Sequence, residues 1–465
     1  MKILLIKPPN PKSIDLFDSE GLSPPLGLAY LASTLQKFNH QVQILDADVE
    51  GLDTHGVIQK IKKINPDIVG LTAVTPNFCE AVKIARLARK LKKPPVIILG
   101  GPHVSAVPKA VKIGCFNFAV LGEGEETLTE LIEGIKAGKT NLENIKGLAF
   151  LKKQKLIITP PRPYLKNLDS LPFPAWDLLP PATNYHPTPG MYQNSPMMTV
   201  MTSRGCPFKC TFCDRSVFGN TYRARSPKNV VDEIEILLQR GIREIKIYDD
   251  TFNLDPKRVI GICQEIKRRQ LKFTWSCLCR VNFIEKEMLS FMKKAGCWQI
   301  SLGIESGNNE VLKAVCKSET TEMIEKAVNL IHEAGIETRG FFILGLPCET
   351  EKSLEETIDF AKSLKLEMAN FYHLIPFPGT EIYKKARKFG HFKKGGSTKE
   401  YLPHSNSALP FVPYGLTNAK MRQYFKKAYH DFYFRPSYLT KRILGIRSFS
   451  QVRKYAKAMW AILKI

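Results

Sequence analysis

Nowhere does this chain carry the 18 or so consecutive apolar residues that a membrane-spanning helix needs, so no spanning helix is expected. Its first residues, "MKILLIKPPN", form an apolar run too short for a secretory signal, stopped by prolines and lacking a small-residue cleavage site. A cytoplasmic protein with reduced thiols is therefore expected, which weighs against disulfides. Internal repeats and low-complexity tracts are missing, and 44% apolar with 24% charged residues leaves no room for wholesale disorder. Acid is scarce, with 44 Asp and Glu against 68 Lys and Arg, a formal charge of +24. From Thr417 to Ile465 there are 12 basic residues against the single acid Asp431. Such an excess suits an anionic membrane surface, a nucleic acid or a phosphorylated substrate, or is simply a solvated basic tail.

What is present is a regular alternation. "KILLIKPP", "QVQILDAD", "DIVGLTAV", "PVIILGG" and "FAVLGEG" are short β-branched runs ending in turn residues, with helical patterns between them. The fold class expected for residues 1–140 is α/β, a doubly wound parallel sheet whose ligands bind beyond the carboxyl ends of its strands. Residues 141–195 are rich in proline and read as a linker. A second series then begins: "MMTVMTSRG", "EIKIYDDTF", "FTWSCLCRV", "QISLGIES", "TRGFFILGLP" and "ANFYHLIPF". Six such units predict a full or partial β/α barrel over 196–395, with function at the C-terminal strand ends. Residues 396–465 are expected to form a small, basic, mainly helical segment.

Eleven cysteines are present, and three crowd into "SRGCPFKCTFCDRSVFG" at positions 206, 210 and 213. Zinc commonly takes four ligands, and no fourth Cys or His stands nearby in sequence. Three thiolates instead leave one iron of a 4Fe–4S cube free for substrate or cofactor. The triplet lies just after the first strand of the second series, at the predicted functional mouth. A structural zinc site is the alternative.

C-x3-C-x2-C in that position resembles the radical S-adenosylmethionine (SAM) superfamily. The resemblance implies that Cys206, Cys210 and Cys213 hold a 4Fe–4S cluster whose open iron is chelated by SAM. Electron transfer then cleaves SAM to methionine and a 5′-deoxyadenosyl radical. It places Phe212 beside the adenine, although residue type alone suits a core phenylalanine equally well. Asp249 and Asp250 in "YDDTF" match the acceptors for the SAM ammonium; by themselves they would read as a helix N-cap. Arg280 in "CLCRVN" matches a bidentate partner for the SAM carboxylate. Ser301 and Glu305 in "SLGIESGN" are candidates for the ribose or amino group, and Gly345 and Leu346 in "GFFILGLPCET" for backbone approach to adenine. No catalytic acid or base is identified.

The first domain lacks the G-x-G-x-x-G of a dinucleotide binder. Its "PPLGLAYLA", "GLTAVTPNF", "GGPHVSA" and "GEGEETL" resemble the cobalamin-binding domain that precedes the barrel in one large radical SAM subclass. That resemblance implies Leu26, Gly27, Thr72, Thr75, Gly100, Gly101, His103, Gly122, Glu123 and Gly124 as candidate cobalamin contacts. Bare glycines would let a flat corrin approach the backbone and threonines meet its amides; ordinary βα-turn chemistry is the alternative. The D-x-H-x-x-G of proteins that ligate cobalt through histidine is missing, and "DTHG" at Asp53–Gly56 departs from it in loop and spacing. His55 is read as a surface histidine, and binding without a histidine ligand is expected.

The subclass contains methyltransferases and anaerobic magnesium-protoporphyrin-type oxidative cyclases, so C-methylation or ring formation on a hydrophobic, lipid or tetrapyrrole-like substrate is implied. A reductant such as ferredoxin or flavodoxin is implied with it. An RNA-modifying methylthiotransferase is disfavoured: the first domain offers only Cys79 and Cys115 for a second cluster, and the C-terminus reads helical. Nucleic acid is therefore not expected as a partner. A sensing module is disfavoured because the SAM-facing strand ends are intact; loss of cobalamin from the first domain stays open. "RPSYLTKRILGIRSFSQVRKYAKAMWAILKI" mixes basic and apolar residues as an interfacial helix does, or as a helix packed on the barrel.

Overall fold

The computed structural model describes residues 1–10, 23–139, 141–185, 190–393 and 409–444. The first sheet has seven strands: β1 (Lys2–Lys7), β2 (Gln41–Asp46), β3 (Ile68–Thr72), β4 (Val96–Gly100), β5 (Phe118–Val120), β6 (Leu148–Lys152) and β7 (Lys155–Ile158). Their order is β2-β1-β3-β4-β5-β6-β7, with β1 to β5 all parallel. Runs such as "KILLIK" bury four consecutive residues because helices cover both faces of a parallel sheet. The strand order reverses between β1 and β3, and doubly wound sheets bind their ligands in the crevice at that switch point.

The linker expected over 141–195 is corrected in part, because residues 148–158 form an antiparallel hairpin that extends the first sheet past residue 140. Its two-residue turn is Lys153–Gln154, both with positive φ (47° and 67°). Asn-Gly is the usual signal for such a turn, and its absence conceals the hairpin in the sequence. The following stretch is irregular, with single 3-10 turns at Leu168–Ser170, Trp176–Leu178 and Ala182–Asn184. Trp176 and Leu179 join one apolar core that runs from Ile3 and Leu28 of the first domain to Met198 and Val200 of the second.

The second domain begins with β8 (Met197–Val200) and the short antiparallel pair β9 (Ser203–Arg204) and β10 (Arg223–Ala224). It continues with β11 (Glu244–Ile247), β12 (Thr274–Cys279), β13 (Cys297–Glu305), β14 (Glu337–Leu344) and β15 (Met368–His373). Strands β8 and β11 to β15 form one parallel sheet in the order β8-β11-β12-β13-β14-β15. The six β/α units thus form a partial barrel, with β8 and β15 as its edges.

An open edge strand exposes unpaired backbone groups. Helix Asn418–Tyr433 covers the β15 edge, and its tyrosines satisfy it. The Tyr433 hydroxyl accepts from Ala369 N (3.1 Å) and donates to Ala369 O (2.7 Å), while Tyr429 does the same at Phe371 (3.3 and 3.2 Å). This part of the C-terminal segment is therefore an integral wall of the barrel rather than an appendage. Most of the stretch read as an interfacial helix, including Trp460, lies outside the described residues, and where it begins, Tyr438 donates to Glu367 O (3.3 Å). Among the described residues no helix is long and apolar enough to cross a membrane.

Candidate cofactor site between two sheets

A cavity of about 780 Å³ lies between the carboxyl ends of the two sheets, and its lining is mostly apolar. Both domains contribute to it. From the barrel come Cys206, Cys210, Cys213, Phe212, Asp250, Arg280, Ser301 and Glu305; from the first domain come Gly27, Thr72, Gly100, Gly101, Gly122, Glu123 and Gly124.

The cysteine loop begins at Gly205, whose φ of +81° and close approach to Thr221 O admit no side chain. Asp250 accepts from Gly205 N (3.0 Å), and the Cys206 sulfur lies 3.4 Å from Thr251 Oγ1. Arg280 stacks 3.7 Å above the Phe208 ring and places Nη1 3.5 Å from Cys210 Sγ. Cys210 is pushed down to about 5, first by the hydrogen bond from the Cys213 thiol and then, against burial, by Lys317 and Arg280. The same hydrogen bond, with burial, pushes the Cys213 thiol up, so of this pair the cationic neighbours favour charge on Cys210.

Arg280 is itself held by Glu319 (2.8 Å), and Lys317 Nζ bridges Glu305 (3.1 Å) and Glu319 (3.5 Å). Glu305 ends β13 with φ +66°, a left-handed conformation that costs a non-glycine residue energy and is held here by its buried partner. A Cβ at Gly303 would stand 2.4 Å from Glu305 Oε1, so glycine there makes room for the pair. Lys317 and Glu319 went unrecognised in the sequence, since neither follows a strand. They lie in "CKSE", each just after a positive-φ residue, Cys316 and Ser318, that no glycine advertises.

Several candidates lie outside the cavity. Asp249 is buried and accepts from Thr202 N (2.6 Å), Thr202 Oγ1 (2.5 Å) and Ser203 Oγ (2.6 Å), so it braces the strand that leads into the cysteine loop. The backbone N–H groups of Gly345 and Leu346 both donate to Glu349, and Leu346 is buried in a cluster against which Phe212 packs. Phe212 is thus both cavity wall and core residue. Leu26 packs into the first domain's core. Thr75 Oγ1 lies 3.1 Å from His103 Nδ1, and that imidazole stacks on Phe78 at 3.9 Å. His55 is exposed on the helix capped by Asp53.

Glu123 lines the cavity, but its carboxylate is committed. It accepts from Arg204 (2.9 Å), Arg223 (2.7 Å) and Leu165 N (3.0 Å), and Glu125 accepts from Arg204 (2.6 Å). These buried pairs clamp the first domain to the barrel, and removing one partner would strand the others. The two arginines lie on β9 and β10 and were not recognised from sequence.

Burial pushes His103 down to about 4. An unfolded histidine takes its proton near 6.5, so the folded chain refuses a proton that the unfolded chain binds between those values. The contribution of His103 is complete above about pH 6.5 and is lost as pH falls toward 4, by up to about 3 kcal/mol. Urea unfolding of wild type and His103→Gln at pH 7 and pH 4 is expected to show their stability difference shrinking by that order. A constant difference would place a charged or solvated imidazole in the fold.

The residues fit the cofactors that the sequence suggested. Among the described residues no three His, Cys, Asp or Glu side chains converge as they would on a single ion. Thiols around a cavity rim suit a cube, which binds each sulfur at a different iron. On the opposite wall, Cβ atoms at Gly27 and Gly100 would meet nothing within 4 Å, so side chains there would project into the space that bare backbone leaves open.

A doubly wound sheet facing a three-cysteine partial barrel across one cavity defines a class of enzyme with two cofactor-binding walls. Residues 200–361 match the family model of the radical SAM superfamily, and residues 13–132 that of the B12 binding domain. The chain is 36% identical to an uncharacterized methyltransferase of Pyrococcus horikoshii over 97% of its own length and 96% of the relative's. It is 31% identical to the anaerobic magnesium-protoporphyrin IX monomethyl ester cyclase of Cereibacter sphaeroides, covering 91% and 71%. In fold it is similar to the cobalamin-dependent radical enzyme OxsB (TM-score 0.76, 19% identity, 98% and 70% covered). The methyltransferase TsrM from Kitasatospora setae is also similar (0.70, 20%, 94% and 89%). The chain belongs to the radical SAM superfamily, in its branch with a B12-binding domain. It is an enzyme whose cofactors are a 4Fe–4S cluster, SAM and cobalamin.

Proposed function

We propose that this protein is a cobalamin-dependent radical SAM methyltransferase acting on carbon in a substrate with a hydrophobic body. The observation that carries the reading is the single cavity onto which the cysteine rim and the glycine-lined wall both open. When bound, the cluster with SAM supplies a carbon-centred radical, and cobalamin a transferable methyl group.

The chain's own residues prepare that chemistry. Arg280, fixed by Glu319 and Phe208, offers its guanidinium to the SAM carboxylate, and Asp250 its carboxylate to the ammonium. Ser301 offers its hydroxyl on the wall to a ribose hydroxyl, while Glu305 positions Lys317. The clamp of Glu123 and Glu125 on Arg204 and Arg223 holds the two walls together, and the apolar lining excludes water that would quench a radical. A one-electron donor of the ferredoxin or flavodoxin type supplies the electron, and the basic C-terminus meets an anionic membrane that presents the substrate. Oxidative ring formation is the second reading, favoured by the similarity to the cyclase.

Anaerobic reconstitution with iron, sulfide and hydroxocobalamin, followed by desalting and metal analysis, tests the proposal. About four irons and about one cobalt per chain are expected. Four irons without cobalt would overturn the cobalamin-dependent reading and leave the first domain to serve substrate or partner.

A further inference from the structure

Residues 249–253, which follow β11, hold the cysteine loop and Arg280 in one bracket. Asp249 accepts from Thr202 and Ser203, and Asp250 accepts from Gly205 N (3.0 Å). The next side chain, Thr251, reaches the first of the three cysteines: its Oγ1 lies 3.4 Å from Cys206 Sγ. Phe252 is buried and meets the Trp275 ring edge-on at 5.8 Å. Asn253 then accepts from Arg280 N (2.9 Å) and donates to Arg280 O (2.8 Å). Thr251 thus sits in a segment fixed on both sides, and it is itself 1% exposed while lining the cofactor cavity.

A hydroxyl has one hydrogen to donate and two lone pairs that accept. That of Thr251 has two neighbours, Cys206 Sγ and, at 2.7 Å, Asp250 O. While Cys206 is a thiol, its S–H donates to Thr251 and the hydroxyl donates to the carbonyl. A sulfur bound to iron has lost that hydrogen and carries negative charge, so it only accepts. Hydrogen bonds to an ionised acceptor are roughly twice as strong as neutral ones, which draws the hydroxyl hydrogen to the sulfur. The three cysteines differ in this respect. Arg280 Nη1 stands 3.5 Å from Cys210 Sγ, but Arg280 is also the cation offered to SAM. Cys213 meets the Cys210 thiol. Thr251 touches a ligand sulfur and, among the described residues, has no further side-chain partner beyond the Asp250 carbonyl.

We propose that Thr251 is a positioning residue for electron transfer, its hydroxyl donating to the Cys206 thiolate and raising the reduction potential of the cluster. The reduced cluster carries one more negative charge, so a donor at its sulfur stabilises it more than the oxidised form. This role rests on the reading of Cys206, Cys210 and Cys213 as cluster ligands, and deepens it: the hydroxyl brings the cluster within reach of a one-electron donor. The acids nearby, Asp250 on the loop and Glu305 and Glu319 around Lys317, act in the opposite direction. They are the same in every variant below, so their effect cancels in the comparison.

The test uses the full chain reconstituted with iron and sulfide, without cobalamin. Iron is measured first, and the reduced cluster is then followed by electron paramagnetic resonance during a potentiometric titration with dithionite. Thr251→Val keeps the shape and removes the hydroxyl. It is expected to hold about four irons, as wild type does, but with a lower reduction potential. At a fixed potential its ratio of reduced to oxidised cluster should fall by about threefold or more. Thr251→Ser restores the hydroxyl and should return the potential to that of wild type. Loss of packing would do the reverse, because valine keeps the volume and serine loses a methyl. Equal potentials in wild type and Thr251→Val, or a serine variant lowered as far as the valine one, overturn the role. Should Thr251→Val lose its iron, Thr251→Ala takes its place, and an unchanged potential or a second loss of iron overturns the role equally. Wild type without iron overturns the cluster reading and this role together, whereas iron present at equal potentials overturns this role alone.

Discussion

Simultaneous replacement of Cys206, Cys210 and Cys213 by alanine is expected to reduce bound iron from about four per chain to background and to abolish reductive SAM cleavage. The loss should be complete because a cube held by three thiolates keeps no protein ligand once all three are removed. Stability should fall only modestly, through the buried Cys210 and its contact with Arg280. Cys213 is exposed and Cys206 half-buried, and the loop is held by backbone contacts such as Gly205 N to Asp250 (3.0 Å) rather than by the sulfurs. Cys316→Ala and Cys348→Ala remove exposed thiols away from the rim and should leave iron unchanged. Retained SAM cleavage in the triple variant, measured as 5′-deoxyadenosine formed under dithionite, would disprove a cluster at this loop.

Gly100→Leu is expected to remove cobalt while sparing iron. Gly100 ends β4 on the cavity wall, and its Cβ would meet nothing within 4 Å, so the backbone accepts a side chain that then fills the cradle. Cobalt should fall from about one per chain by more than tenfold, a loss of roughly 1.4 kcal/mol or more in binding. Gly101→Ala makes the informative contrast. Its φ of +96° and a Cβ 2.7 Å from Thr72 Oγ1 predict a folding defect instead. Full cobalt in Gly100→Leu, with an unaltered unfolding midpoint, would remove the first sheet's glycine wall from the cofactor site.

The two series of strands, their parallel class and the place of the cysteine triplet were legible because they depend on local signals: period-two and 3.6 patterns, turn residues and C-x3-C-x2-C spacing. The same signals located the glycines at 100, 101, 122 and 124, since bare backbone after a strand end is visible in one dimension, whereas Gly27, at the start of a helix, came through the resemblance alone. They could not separate Asp250, on the cavity, from its neighbour Asp249, spent on Thr202 and Ser203. Nor could they tell Thr72, at the wall, from Thr75, paired with His103.

Glu123 shows why. It follows β5 as a ligand residue would, yet its partners Arg204 and Arg223 stand 81 and 100 residues away. Lys317 and Glu319 acquire their meaning only because the chain folds back to place them against Arg280 and Cys210. By itself the sequence determined the class of fold and, through the resemblance of its motifs to a known family, the kind of cofactor, because each depends on residues near one another in the chain. Only the tertiary structure decided which charged groups face the cavity and which bind each other, because a side chain's role there is set by long-range partners and by the water that folding excludes.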